Sequence, residues 1–253
     1  MTVPLLGRAR TSRGRRPAPD SMTLAEHLGE LRRRLIISLV AFVIAGTVAA
    51  IFSEPLLRLL QHPYCTANPH DCGFYVTQPL DPLSLRVKLA AFGGLVLASP
   101  VVLWQVWRFI TPGLRPNEKR YAVPFVLASV VLFVGGCATA YAVFPHALGF
   151  LVHVGGSQLH TLLNPNAYLT LIVLLMLLFG ATFEFPVVLV ALEIAGVVTP
   201  ASLLRWWRWA VIGITAVAAV FTPSSDPFSM LALMLPLIAF YFAAIGIGKL
   251  LGR

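Results

Sequence analysis

Six long apolar segments, separated by shorter polar stretches, organise this chain. A helix needs about 20 apolar residues to cross the hydrocarbon core, and a single segment in lipid can satisfy its backbone polar groups only as a helix. The pattern therefore predicts an all-α polytopic membrane protein with six transmembrane helices. The predicted spans are residues 35–52, 89–110, 121–144, 168–198, 209–221 and 228–247, and the fifth is short.

The segments between the spans are polar and rich in turn-forming residues. Residues 53–88 contain five prolines and are interpreted as a long loop. Residues 145–167 and 199–207 are interpreted as further loops, the latter ending in Trp and Arg side chains typical of a membrane interface. A tight turn at residues 222–227 leads into the sixth span.

The N-terminal region precedes the first span and has two parts. Residues 1–21 are rich in Arg, Pro and Gly, which predicts a disordered basic tail, and Met22 is an alternative start. The Thr23-Leu-Ala-Glu26 capping box then opens an amphipathic helix that runs into the first span. Residues 22–250 are thus predicted to form one six-helix transmembrane domain.

Charge determines the predicted orientation. The formal net charge of +9 would suit a nucleic-acid-binding protein, but the basic residues lie in the N-terminal tail and at the ends of apolar segments. With both termini inside, 16 of the 19 Lys and Arg residues fall on the inner side. This asymmetry predicts an N-in, C-in topology and argues against nucleic acid as a partner.

Composition and spacing exclude several classes of function. Charged residues make up 11% of the chain, against about 25% in soluble domains, so little chain remains for a soluble domain. We find no nucleophile–base arrangement, no phosphate-binding Gly loop and no Cys/His spacing typical of a metal site. The sequence predicts neither an enzyme nor a bound cofactor or metal.

Two of the three cysteines, Cys65 and Cys72, lie in the first outer loop. On the outer, oxidising side of a membrane disulfides persist, which predicts a bond between them. The alternative is two free thiols.

Glu184 carries the strongest functional argument among the acidic residues. It lies near the middle of the fourth predicted span, where a carboxylate costs about 2.5–3.5 kcal/mol on the insertion scale. Such residues face a bundle interior or water and are usually functional. Glu193, in the inner part of the same span, is interpreted as a packed structural residue.

Three glutamates at the inner surface have a structural interpretation beside a functional one. Glu26 belongs to the capping box, and Glu30 is spaced to pair with Arg34 at i,i+4. Glu118 lies among basic residues in a short inner loop and could stabilise the start of the third span. Prolines that interrupt or flank apolar runs are predicted to form packing kinks: Pro55, Pro100 and Pro186.

Several motifs occur in a characteristic order. The segment His27-Leu-Gly-Glu30-Leu-Arg32-Arg33-Arg34-Leu35 resembles the N-terminal signature of the TatC family, the multispanning receptor of the twin-arginine protein translocase. The second-span segment from Ser99-Pro100 through Trp104-Gln105-Val-Trp107-Arg108 to Pro112-Gly-Leu114 is similar to a motif of that family. The family order continues with Glu118-Lys-Arg120, Phe183-Glu184-Phe-Pro186 and Thr222-Pro-Ser-Ser-Asp226, and Pro55-Leu56 resembles its first outer-loop proline.

The resemblance implies a fold and a function. The fold would be a concave bundle with short fifth and sixth spans, in the bacterial cytoplasmic membrane with both termini cytoplasmic. The function would be to recognise signal peptides with paired arginines, to recruit single-span TatA- and TatB-type subunits, and to export folded proteins using the proton gradient. The subunit would be homo-oligomeric in the complex.

The resemblance also implies two sets of site residues. Glu30, Glu118 and Arg33 would bind the signal peptide at the inner surface. Glu184, Thr222, Asp226 and Met230 would form an intramembrane polar or partner site. The chain departs from the family by an extra Ser before Asp226 and by Met230, where many members carry Gln.

The main alternative is a proton-coupled small-solute secondary transporter that uses Glu184 as its proton site. Paired broken helices and an internal repeat would favour that function, and the two halves show no repeat. A membrane-embedded lipid enzyme would need a catalytic cluster at one membrane face, which the sequence does not show.

Overall fold

The computed structural model describes residues 24–67, 74, 76, 78–110, 122–154, 164–222 and 226–250. The predicted tail, Thr23 of the capping box, Cys72 and Glu118 lie outside these residues. Within them the chain forms eight helices: α1 (Leu24–Ile51), α2 (Ser53–Ala67), α3 (Asp81–Ile110), α4 (Ala122–Val154), α5 (Pro165–Phe183), α6 (Phe185–Ile194), α7 (Pro200–Phe221) and α8 (Pro227–Leu250).

Six candidate membrane spans occur in the described part of the chain, judged by length and composition, which confirms the predicted number. The fourth span, Pro165–Ile194, contains both α5 and α6. The fifth and sixth are the shortest, with 22 and 24 residues. The amphipathic N-terminal helix and the first span form one continuous helix, α1, as predicted.

The observed helix boundaries differ from the predicted ones in the polar stretches that are predicted to be loops. Within the predicted loop 53–88, residues 53–67 form α2 and α3 already begins at Asp81. Pro55 falls in the first turn of α2, where a backbone N–H has no intrahelical partner, so it does not oppose the helix. Pro63 leaves the Leu59 carbonyl without its helical donor, and the Tyr141 hydroxyl donates to that oxygen at 2.8 Å.

The fifth span begins at Pro200, nine residues before the predicted position. A reciprocal capping box starts it: the Thr199 hydroxyl accepts from the Ser202 N–H at 3.2 Å, and the Ser202 hydroxyl accepts from the Thr199 N–H at 3.2 Å. The Trp/Arg segment is therefore helical and lies on the first turns of α7. This box has Ser202 at the third helical position, where the common form has Glu or Gln, and the sequence analysis did not predict it.

Close helix packing depends on small residues. A Cβ atom on Gly136 of α4 would lie 2.6 Å from the Phe179 carbonyl oxygen of α5. A Cβ atom on Gly94 of α3 would lie 2.6 Å from the Gly46 Cα of α1. These backbones approach closely only because no side chain intervenes, as is common between helices in membranes.

The bundle has a main apolar core and an open apolar groove. The core contains Leu169, Ile172, Phe179, Leu233 and other buried side chains, drawn mainly from α3, α4, α5 and α8. The groove has a volume of ≈700 Å3 and lies between α1, α2, α3 and α4. Its walls are apolar apart from the Tyr141 hydroxyl, and α1, which packs chiefly on α3, forms one side of it.

Candidate functional site

A cleft between the start of α1 and the end of α3 brings together two of the predicted signal-peptide-binding residues, Glu30 and Arg33. Its volume is ≈160 Å3. Arg34 and Ile37 also line it from α1, and Gln105 and Arg108 line it from α3. The His27 ring of α1 stacks on the Phe109 ring of α3 at 4.4 Å between centroids, which holds the two helix ends together.

Glu30 is bound within its own helix. The Arg34 guanidinium donates to Glu30 Oε1 in an i,i+4 ion pair, as the structural interpretation predicted. Glu30 Oε2 is buried and has no hydrogen-bond partner among the described residues. This oxygen has unused acceptor capacity but is enclosed by its neighbours. Glu118, the third predicted residue of this site, lies outside the described residues.

Glu184 lies at the break between α5 and α6. Pro186 lies in the first turn of α6, and the Glu184 N–H bonds back to the Ala181 carbonyl at 3.2 Å, one residue short of regular α-helical pairing. The fourth span is thus divided at its glutamate. Pro186 is the physical cause of the division because it cannot donate a backbone hydrogen bond.

Polar side chains from two other helices lie near Glu184. The Trp107 Nε1–H of α3 donates to the Ser129 hydroxyl of α4 at 2.7 Å, and Ser129 in turn lies beside the Glu184 carboxylate. Ser129 is fully buried, and the Trp107 ring stacks on the Phe125 ring at 4.9 Å. Glu184 Oε1 has no partner among the described residues. Sequence reasoning missed the roles of Trp107 and Ser129, although a serine within an apolar span was a usable signal.

The other residues of the predicted partner site make local contacts. The Thr222 hydroxyl donates to the Ala218 carbonyl at 2.9 Å, and Asp226 Oδ1 accepts from the Ser229 N–H at 2.6 Å at the start of α8. Both side chains are buried. Met230 is partly buried and packs against the main apolar core. These contacts lie at the end of α7 and the start of α8.

Pro100 and Glu193 are both predicted to have structural roles, and the structure shows what surrounds each of them. The Ser99 hydroxyl donates to the Val96 carbonyl at 2.7 Å, and this is the carbonyl that Pro100 leaves without a helical donor. Glu193 of α6 is 1% exposed and packs against Gly248 of α8. Neither Glu193 carboxylate oxygen has a hydrogen-bond partner in the described part of the chain.

The opposite end of the bundle contains a polar cluster that the sequence did not reveal. Asp81, at the start of α3, accepts from the side-chain amides of Asn164 at 3.4 Å and Asn166 at 3.3 Å. The Lys88 ammonium donates to the Asn166 side-chain oxygen and to the Thr170 hydroxyl, the latter at 2.5 Å. The cluster joins the first turns of α3 and α5. The residues of this cluster are far apart in sequence, so no local sequence pattern predicts the cluster.

Two cysteines are described. Cys65 in α2 is disulfide-bonded, and Cys137 in α4 is free and buried. Cys72, the predicted partner of Cys65, lies outside the described residues.

Comparison with known proteins places this geometry in a family. Residues 26–236 match the family model described as Sec-independent protein translocase protein (TatC). A relative from Frankia casuarinae, named Sec-independent protein translocase protein TatC, is 41% identical over 94% of this chain and 69% of its own length. A relative of the same name from Aquifex aeolicus is 37% identical over 92% of this chain and 97% of its own length.

The fold agrees with solved structures. A crystal structure of the twin-arginine translocase receptor TatC in DDM superposes with a TM-score of 0.75 and 35% sequence identity. The superposition covers 88% of this chain and 99% of that chain. The family match covers more than half of the chain, and both relatives exceed 30% identity over most of their length. A six-span helical bundle with these matches belongs to the TatC family of Sec-independent protein translocase proteins.

Proposed function

We propose that the chain is the signal-peptide receptor and core subunit of a twin-arginine translocase that exports folded proteins using the proton gradient. The observation that carries the proposal is the likeness of nearly the whole chain to a crystal structure described as the twin-arginine translocase receptor. Family membership also favours this function over a proton-coupled small-solute transporter. The proposed role is that of a translocase component and not of an enzyme, and it requires no cofactor.

Glu30, Arg33 and Glu118 are the residues we propose for recognition of the paired arginines. Because Arg34 occupies Oε1 of Glu30 and Oε2 is buried, an incoming guanidinium would compete with Arg34 for this carboxylate. A charge-assisted hydrogen bond contributes roughly 1.5–3 kcal/mol, so two arginines supply about 3–6 kcal/mol. Micromolar affinity needs about 8 kcal/mol. The apolar segment of the signal peptide would supply the difference by lying against the bundle.

The test of this proposal is the affinity of a twin-arginine signal peptide for Glu30→Ala. Loss of one charged hydrogen-bond acceptor should weaken binding about 10- to 100-fold. Fluorescence anisotropy of a labelled peptide with the purified protein measures the change. Glu54→Ala is the matched control, because Glu54 is an exposed glutamate of α2, and it should bind like the unsubstituted protein. Undiminished affinity in a Glu30→Ala/Glu118→Ala double variant would rule out the assignment.

Glu184 is the residue we propose for docking of a partner helix or for a translocation step. The Glu184 side chain is only partly buried, so its carboxylate could accept from a polar group on a single-span TatA- or TatB-type subunit. Thr222, Asp226 and Met230 would shape the adjoining α7–α8 turn. The complex would contain several copies of this chain.

The chain is a multi-pass membrane protein, and we propose that it lies in the bacterial cytoplasmic membrane with both termini in the cytoplasm. The excess of Lys and Arg on one side supports this orientation. In intact cells, a membrane-impermeant thiol reagent should label Gln78→Cys and should not label Ala201→Cys. The background is low because Cys65 is bonded and Cys137 is buried. The reverse labelling pattern would show that the chain has the opposite orientation in the membrane.

A further inference from the structure

Glu193 of α6 has a buried carboxyl group without a hydrogen-bonding partner. The residue is 1% exposed, and neither carboxylate oxygen accepts a hydrogen bond from a described residue. Asp226 is equally buried, but its Oδ1 accepts from the Ser229 N–H. Packing alone does not explain Glu193, because an unpaired charge is among the most costly groups to bury. We propose that Glu193 is a proton-binding site that holds a neutral carboxyl group between α6 and α8.

Gly248 of α8 provides the space that this carboxyl group fills. A Cβ atom at position 248 would lie 2.6 Å from Glu193 Cδ and 2.8 Å from Glu193 Oε1. The carboxyl group therefore occupies the volume that a side chain at position 248 would take, and it packs directly on the backbone of α8. A Cβ atom on Gly246 of the same helix would have no neighbour within 4 Å. The pocket is thus specific to position 248.

The titratable side chains of α8 do not neutralise the carboxylate. Lys249 follows Gly248, but it is exposed and makes no ion pair with a described residue. Tyr241 is the other titratable residue of α8, and its hydroxyl donates to the Leu203 carbonyl at 2.8 Å. Neither side chain therefore donates a hydrogen bond to Glu193.

The other helices near α6 supply no counter-charge from their described residues. The helices α4 and α5 pack on α6, and neither contains Lys, Arg, Asp or Glu. Arg205 and Arg208 of α7 are exposed and make no ion pair with Glu193. Glu184 lies nine residues before Glu193, about 13 Å along the helix axis. A proton is therefore the ligand that allows this carboxyl group to be buried.

The position of Glu193 in its span determines where the proton comes from. Glu193 lies one residue before the end of the fourth span, Pro165–Ile194. A small separation of α6 from α8 would therefore expose the carboxyl group to the water at that membrane surface. One carboxylate oxygen takes up a proton from this water and returns it on ionisation. Because the ionised group must be hydrated, proton release favours separation of the two helices. The site does not depend on signal-peptide recognition or on Glu184.

Infrared difference spectroscopy of the full chain in detergent tests the proposal. The spectrum of the unsubstituted protein minus that of Glu193→Gln at neutral pH should contain the C=O stretching band of a protonated carboxyl group. Glu54→Gln is the matched control, because Glu54 is an exposed glutamate, and its difference spectrum should contain the bands of an ionised carboxylate. Bands of an ionised carboxylate at Glu193 would overturn the proton site. Thermal melting confirms that each variant is folded.

A pair of glycine variants tests the pocket. Gly248→Ala should displace the carboxyl group toward water, so the protonated-carboxyl band should be lost and carboxylate bands should replace it. Gly246→Ala should leave the protonated-carboxyl band unchanged, because its new methyl group meets no neighbour. An unchanged band in Gly248→Ala would contradict a proton held in this pocket.

The dependence of stability on pH gives a second, independent readout. The folded protein should hold a proton that the unfolded chain releases, so its stability should fall as the pH rises. Between about pH 6 and 9 the melting temperature of the unsubstituted protein should therefore fall more steeply than that of Glu193→Gln, which has no proton to lose at this position. Parallel pH dependences for the two proteins would overturn the proposal.

Discussion

Replacing Gly136 with alanine should lower the melting temperature of the protein, whereas replacing its neighbour Gly135 with alanine should not. A Cβ on Gly136 would lie 2.6 Å from the Phe179 carbonyl oxygen and 2.9 Å from the Gly180 Cα, and both are backbone atoms that cannot move aside alone. A Cβ on Gly135 would have no neighbour within 4 Å. The two substitutions are chemically identical and adjacent, so they differ only in the packing they disturb.

Two opposing free-energy contributions, helix propensity and overpacking, determine whether Gly136→Ala stabilises or destabilises the protein. Alanine in place of glycine gains up to about 1 kcal/mol in helix propensity at either position. Overpacking a tight interface costs about 1–3 kcal/mol, and here the contact is against backbone, which favours the upper part of that range. Gly136→Ala should therefore destabilise by about 1–2 kcal/mol, and Gly136→Leu by more. Intrinsic tryptophan fluorescence during heating in detergent measures the difference. Equal melting temperatures for both alanine variants would contradict the α4–α5 packing.

Replacing Glu184 with alanine should abolish most export of folded cargo while leaving signal-peptide binding largely intact. The Glu184 carboxylate lies in the divided fourth span and does not line the α1–α3 cleft that contains Glu30. Its loss removes an intramembrane acceptor worth roughly 1.5–3 kcal/mol to a charged or polar partner, which corresponds to at least about tenfold in partner occupancy. Glu184→Gln should be milder because an amide oxygen can still accept a hydrogen bond.

Three measurements together decide the role of Glu184: protein accumulation, peptide binding and export. Ser129→Ala is the companion variant. It removes the hydroxyl that lies beside the Glu184 carboxylate and leaves the Trp107 indole N–H without its acceptor, so it should reduce protein stability as well as export. A purely structural glutamate would instead give poor accumulation of Glu184→Ala. Normal export in both Glu184 variants, or peptide binding lost as completely as export, would refute the assignment.

The spans could be predicted from sequence because the lipid environment imposes a simple rule on each one. Every span must contain about 20 mostly apolar residues, and that rule acts on contiguous sequence. The predicted kink at Pro186 in the fourth span is equally local, since this proline cannot donate a backbone hydrogen bond. The Glu30–Arg34 pair was predictable from its i,i+4 spacing.

The remaining features depend on contacts between distant parts of the chain. The sequence of α2 contains Pro63 and is typical of a loop. The Tyr141 hydroxyl of α4 nevertheless donates to the Leu59 carbonyl, which this proline leaves without its helical donor. The Asp81, Asn164 and Asn166 cluster joins residues more than 80 positions apart. The α1–α3 cleft likewise forms only when Gln105 and Arg108 of α3 lie beside the start of α1. The sequence pattern within one segment cannot predict these long-range contacts.

The receptor function is tested most directly by crosslinking a photoreactive signal peptide to the purified protein in detergent. A peptide with paired arginines should crosslink to the protein, and its Lys-Lys counterpart should crosslink weakly, because lysine cannot reproduce bidentate binding to a carboxylate. An excess of unlabelled twin-arginine peptide should reduce crosslinking of the photoreactive peptide. Equal crosslinking of the Arg-Arg and Lys-Lys peptides would contradict the function proposed for this chain.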